Sequence, residues 1–168
     1  MKKELTQKYL KEILNYNPNT GIFTWKLSKA LRVNKGDIAG GIDNHGYGRI
    51  GVDGKSYRKH KLIWLYVYGK FPKDGNEVDH INHDKIDNRL VNLREVTRSE
   101  NQRNRTRQKN NTSGFTGVYF HTTKNKWNAK IRNSGKNIHL GYFEKIKDAI
   151  KARKKAIIKY GFHPNHGK

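Results

Sequence analysis

The sequence predicts an α+β protein made of two small units, each a few short antiparallel strands with a helix against them. Three observations lead there. Short alternating apolar and polar runs are broken by Gly, Asn and Asp, the pattern of hairpins. Apolar residues recur at helical spacing near both ends and in one central segment. Between the two patterned halves, Arg98 to Gly114 contains no large apolar residue.

Leu5, Tyr9, Ile13 and Leu14 share one helical face, so Thr6 to Asn15 reads as a short amphipathic helix. Asn17-Pro18-Asn19-Thr20-Gly21 is turn chemistry and ends it. Ile22 to Lys26 reads as a strand. Tyr47 to Val52 reads as one arm of a hairpin, punctuated by Asn44-His45-Gly46 and Asp53-Gly54. His60 to Gly69 is the most apolar segment, and its length with Gly69 as a stop suits a buried helix. Arg98 to Asn104 can continue as helix, and Arg107 to Gly114 reads as a connector. From Phe115 the pattern changes to three strands, 115–121, 126–132 and 137–143. Ile146, Ala149, Ile150, Arg153, Ala156, Ile157 and Tyr160 then mark one helix face, with Gly161 as its cap. The expected domains are residues 1–107 and 113–168, with a linker at 108–112.

The 168 residues carry a formal charge of +22 and no Cys. Disulfides and thiolate metal sites are thereby excluded. A chain this basic binds polyanions, largely by releasing counterions from phosphates. No apolar run reaches the length of about twenty residues needed to cross a bilayer. The N-terminus lacks the apolar stretch of a secretory signal, so a cytoplasmic protein is expected. The charge is uneven. Residues 1–73 have a net charge of +10 and residues 101–168 of +15, whereas residues 74–100 have −3 and hold seven of the fourteen acids. An acidic island suits a bound divalent cation better than a simple polyanion binder. Acids that cap turns on a solvated face would give the same count.

Within the island, Asp79-His80, Asp87-Asn88-Arg89, Asn92-Leu93-Arg94 and the later Asn101 resemble the HNH endonuclease motif. They are most similar to its phage and intron-encoded members, in which the third position is Asn. The resemblance spans about residues 79–104 and implies two strands and a helix around one Mg²⁺ or Mn²⁺ ion. It implies His80 as general base, Asp79 and Asn101 as metal ligands, and Asn92 as the residue that bridges the loop and orients the His80 ring. An imidazole, with its ordinary pKa near 6.5, suits the base role at neutral pH. His83, Asp84 and Asp87 read as loop residues, and His60 as a packing or phosphate-contacting one.

The C-terminal half has its own resemblance. Ser113 to Val118, Trp127 to Arg132 and His139 to Phe143 are similar to the DNA-binding domain of plant ethylene-response factors. That likeness implies a three-stranded sheet laid against duplex DNA. Thr116, Tyr119, His121, Lys130, Arg132, Asn137 and His139 match its contact positions. Arg132 keeps the plant family's arginine, but Lys130 replaces an acid, so base specificity does not carry over. Arg103, Arg105, Arg107 and Lys109 read as a basic tether along the backbone.

Together these resemblances imply a metal-dependent endonuclease of the homing type, expected to cut or nick double-stranded DNA as a monomer or weak dimer. No membrane or small-molecule partner is expected. A catalytically inactive DNA-binding regulator and a basic RNA-binding protein are the rivals.

Overall fold

The computed structural model describes residues 4–28, 33–104, 107 and 110–167. The chain divides into two compact units, Met1–Arg98 and Ser99–Lys168.

The first unit opens with helix α1 (Gln7–Ile13), whose first turn is capped by Thr6 accepting from the Tyr9 amide at 3.3 Å. The predicted helix runs two residues too far. Leu14 and Asn15 already belong to strand β1 (Leu14–Asn17), which pairs with β2 (Ile22–Trp25) across the predicted turn. Pairing wins because it buries Leu14 opposite Trp25, both in the core. A three-stranded antiparallel sheet follows: β3 (Gly41–Ile42), β4 (Gly48–Val52) and β5 (Lys55–Arg58). Helix α2 (Lys59–Tyr68) comes next and ends on Gly69, matching the expected buried helix. Its Leu62 and Ile63 are fully buried and join Leu10, Leu14, Phe23 and Ile50 in one core. Each such side chain contributes roughly 1.5–3 kcal/mol of burial. Strand β6 (Asn76–His80) then pairs antiparallel with β7 (Leu93–Thr97), and Val78 and Leu93 tie this hairpin to the same core. Helix α3 (Arg98–Arg103) follows β7 directly, giving the expected strand–strand–helix order.

The second unit holds β8 (Val118–His121), β9 (Lys126–Asn133) and β10 (Lys136–Phe143), an antiparallel sheet with β9 in the middle. Helix α4 (Ile146–Lys159) covers one face, where Val118, Ala129 and Ala149 are buried. This is the architecture expected from the strand and helix periodicities. Among the described residues, no helix is long and apolar enough to cross a membrane.

Candidate active site and nucleic-acid face

β6 alternates, and that alternation separates the two lead residues of the motif. Val78 and His80 are buried, while Asp79 lies on the other face of the pleat. The ladder keeps its register to the last residue, with Asp79 opposite Arg94 and His80 opposite Leu93. The chain turns only afterwards, where the Ile81 amide donates to the Asn92 carbonyl at 2.9 Å and His83 takes a left-handed φ of 68°. Asp79 Oδ2 accepts from Arg94 Nη2 at 3.0 Å and from Nε at 3.3 Å.

The loop between β6 and β7 is tied shut by carboxamides. Asn92, 6% exposed, donates from Nδ2 to Asn82 Oδ1 at 2.9 Å and to the Asp87 carbonyl at 2.8 Å, and accepts the Asn82 amide at 3.0 Å. The carboxamide that meets the His80 ring is that of Asn88. Its Oδ1 lies 3.2 Å from His80 Nε2, and its Nδ2 donates to the Ile86 carbonyl at 3.0 Å. With its NH₂ so committed, Asn88 presents only an acceptor to the ring. Nε2 therefore carries the proton and Nδ1 the lone pair. Asn88 is in turn held from the far side of the unit. Tyr16 donates its hydroxyl to the Asn88 carbonyl at 2.9 Å, and Gly21 packs on the same peptide. A Cβ at Gly21 would sit 2.5 Å from the Asn88 carbonyl carbon.

His80 is 5% exposed, and burial pushes its pKa below 6.5. The Asn88 bond and the charges of Asp79, Asp84 and Asp87 act the other way, more weakly. The imidazole is therefore neutral at pH 7, the form a general base requires. Behind it stands His60 of α2, 3% exposed, whose ring meets that of His80 edge-on at 4.9 Å. Burial first, and the neighbouring His80 second, push His60 down to about 3. Tyr47 flanks both rings, at 5.6 and 6.3 Å. Asn101 lies on α3, within the second unit. Among the described residues, no group of three or more His, Cys, Asp or Glu is arranged to hold a metal.

The second unit gathers Tyr119, His121, Lys130, Arg132, Asn137 and His139 on one sheet face, whereas Thr116 precedes the sheet with its Oγ1 buried. Register places Tyr119 and Tyr142 on opposite sides of Asn128, Lys130 beside His139, and Arg132 beside Asn137. Side chains confirm the shared face: Lys130 Nζ sits 4.9 Å over the Tyr119 ring, and His139 lies 4.6 Å from Tyr142. His121 joins them, with its ring 5.6 Å from Tyr142. Arg103 Nη2 donates to Asn133 Oδ1 at 2.9 Å, and Arg107 Nη1 to the Gly114 carbonyl at 2.6 Å. Arg105 and Lys109 lie outside the described residues.

The family described as HNH endonuclease matches residues 57–103, the segment from the end of β5 through α3. Protein 3.8 of Escherichia phage T7 is 33% identical over 82 residues, which cover 49% of this chain and 67% of that protein. The chain belongs to the HNH endonuclease family. An uncharacterized HNH endonuclease of Acanthamoeba polyphaga mimivirus is 45% identical over 51 residues, 30% of this chain but only 13% of that protein. A solved structure of the HNH homing endonuclease I-HmuI, titled for DNA binding and cleavage, is 28% identical with a TM-score of 0.38. It covers 51% of this chain and 47% of that one.

The resemblance implied the two strands and the helix of the HNH segment, but it quoted Asn88 only within the motif and gave it no role. The available signal was a second carboxamide ahead of Asn92, set between Asp87 and Arg89. Those neighbours hold themselves: Asp87 and Arg89 pair at 2.7 Å, and the Arg89 guanidinium keeps the Asp87 carboxyl down at about 2.

Proposed function

We propose that this HNH protein is a metal-dependent DNA endonuclease of the homing type, nicking or cutting duplex DNA. The observation that carries the reading is His80, buried and neutral, with Nε2 committed to Asn88. In this reading His80 accepts a proton at Nδ1 from the attacking water. Asn88 holds the tautomer, and Asn92 keeps the loop closed so that Asn88 stays in place. The donors that the motif supplies for a metal are a carboxylate, Asp79, and a carboxamide, Asn101. Such hard oxygen donors would suit Mg²⁺ or Mn²⁺. When bound, one such ion neutralises charge on the phosphate as it is attacked. Arg94, paired with Asp79 at 3.0 Å, compensates the charge of that carboxylate. The sheet face bearing Tyr119, His121, Lys130, Arg132, Asn137 and His139 holds the duplex, and the basic segment of Arg103, Arg105 and Arg107 tracks its backbone.

Supercoiled plasmid incubated with the full chain tests the reading. Nicking with Mg²⁺ that stops on adding EDTA is expected, and His80→Ala should lower the rate by about 10²–10⁴-fold. Nicking that survives either change, or no nicking by the wild type, refutes it.

A further inference from the structure

The second unit contains a cavity of about 420 Å³ whose lining includes the cations Arg103, Lys130, Arg132 and Arg153. Its most unusual member is Arg153. This residue lies on the covered face of α4 between Ala149 and Ala156 and is 2% exposed. Sequence periodicity places it on that apolar face, where an arginine needs a reason. Its Nη2 donates to His166 Nε2 at 3.1 Å. Its Nε and Nη1 are fully buried and have no hydrogen-bond partner among the described residues. Arg103 Nε and Thr116 Oγ1, on residues that line the same cavity, are also buried without hydrogen-bond partners among the described residues. The ring of Phe162 lies 5.4 Å from the Arg153 guanidinium carbon and 5.8 Å from that of Arg103. Gly117 makes the room: a Cβ there would stand 2.5 Å from Arg153 Nε and 2.5 Å from the Lys130 carbonyl.

No Asp or Glu is among the described residues that line the cavity, while Lys130 and Arg132 add two further cations. A guanidinium taken out of water with two N–H groups unmet is costly unless an anion supplies acceptors. Burial alone pulls Arg153 down to about 10, the direction expected of a cation lacking its counter-ion. The occupant must therefore be an acceptor with negative charge. A carboxylate offers two oxygens. Two arginines from different helices, a lysine and a hydroxyl offer more donors than that, and they suit a phosphate with its additional oxygens.

We propose that this cavity is a binding site for a phosphate group. Tyr119, Lys130, Arg132 and Asn137 belong both to its lining and to the face proposed to hold DNA. A backbone phosphate of the bound duplex is thus the source at hand, a point that rests on the proposed function. Free phosphate is the other source of the same chemistry.

The test uses the full chain in EDTA, wild type and Arg153→Met, which keeps an unbranched apolar stem. Thermal unfolding of the wild type in inorganic phosphate is compared with sodium chloride of matched ionic strength. A melting temperature raised by phosphate beyond chloride in the wild type, and not in the variant, is expected. In parallel, duplex affinity is measured against salt. Loss of a backbone phosphate contact should lower the slope of log K on log salt by about 0.9 and weaken binding at low salt by about tenfold. A phosphate-specific stabilisation with unchanged duplex slopes supports the site and rejects the backbone as its source. No phosphate-specific stabilisation together with unchanged slopes overturns the proposal. Should Arg153→Met fail to fold, the wild-type comparison and Arg103→Gln decide in the same way. None of these readouts involves strand cleavage, so failure here and failure of the nuclease reading are separable.

Discussion

Acidifying this protein from pH 7 to about pH 4.5 should cost the first unit about 3 kcal/mol through His60 alone. The sign follows from linkage. His60 is buried neutral and pushed down to about 3, against 6.5 when unfolded. Below pH 6.5 the unfolded chain takes up a proton that the folded one refuses. Stability is therefore complete above pH 6.5, falls as pH drops, and levels off only near the folded value. Two pH units at roughly 1.4 kcal/mol each set the magnitude, and no solvent discount applies to a side chain 3% exposed. His80, shifted the same way, adds to the loss. The assay is urea unfolding followed by Trp fluorescence in a Trp127→Phe background, which leaves Trp25 and Trp64, both buried in the first unit, as probes. His60→Phe removes the titrating group and the buried, unpartnered Nδ1. It should flatten the acid slope while leaving neutral-pH stability equal or higher. Parallel slopes for wild type and His60→Phe would refute the assignment.

Other expectations concern the His80 support. Asn88→Ala should leave the fold intact by circular dichroism yet slow plasmid nicking by about tenfold or more, since the tautomer is no longer set; an unchanged rate argues against it. Asn92→Ala removes three hydrogen bonds from a buried loop. It should lower stability by about 2–4 kcal/mol in the same urea assay. Gly21→Ala meets both a φ of 73° and the Asn88 peptide. It should destabilise by about 1–3 kcal/mol and depress nicking in step. Wild-type stability with wild-type nicking would show that the turn does not brace Asn88.

What was legible in the sequence was local or periodic. α2 could be read from the seven apolar residues Leu62 to Tyr68 ahead of Gly69, and α4 from its i, i+3, i+4 stripe. The three strands of the second unit followed from alternation between turn residues. The end of α1 was misplaced because Leu14 fits the helical stripe as well as the strand. Only its partner Trp25, eleven residues on, decides for strand. The site divides the same way. Asp79, His80 and Asn92 stand out by residue type, but the hold on His80 is not a sequence pattern. It runs through Asn88 to Tyr16, 72 residues away, and to a glycine that leaves space for one peptide. Arg153 was visible as an oddity of the α4 stripe, but its cavity forms only when β8, α3 and the C-terminal turn converge.

Because β6 puts His80 on the inward face with Val78, the residue assigned the chemistry is also packed as interior. A reactive group on a surface loop can melt out by local opening while the rest of the molecule stays folded. His80 has no such private equilibrium: releasing it means parting β6 from α2. Loss of cleavage on heating should therefore coincide with loss of the first unit's fold, as one cooperative event.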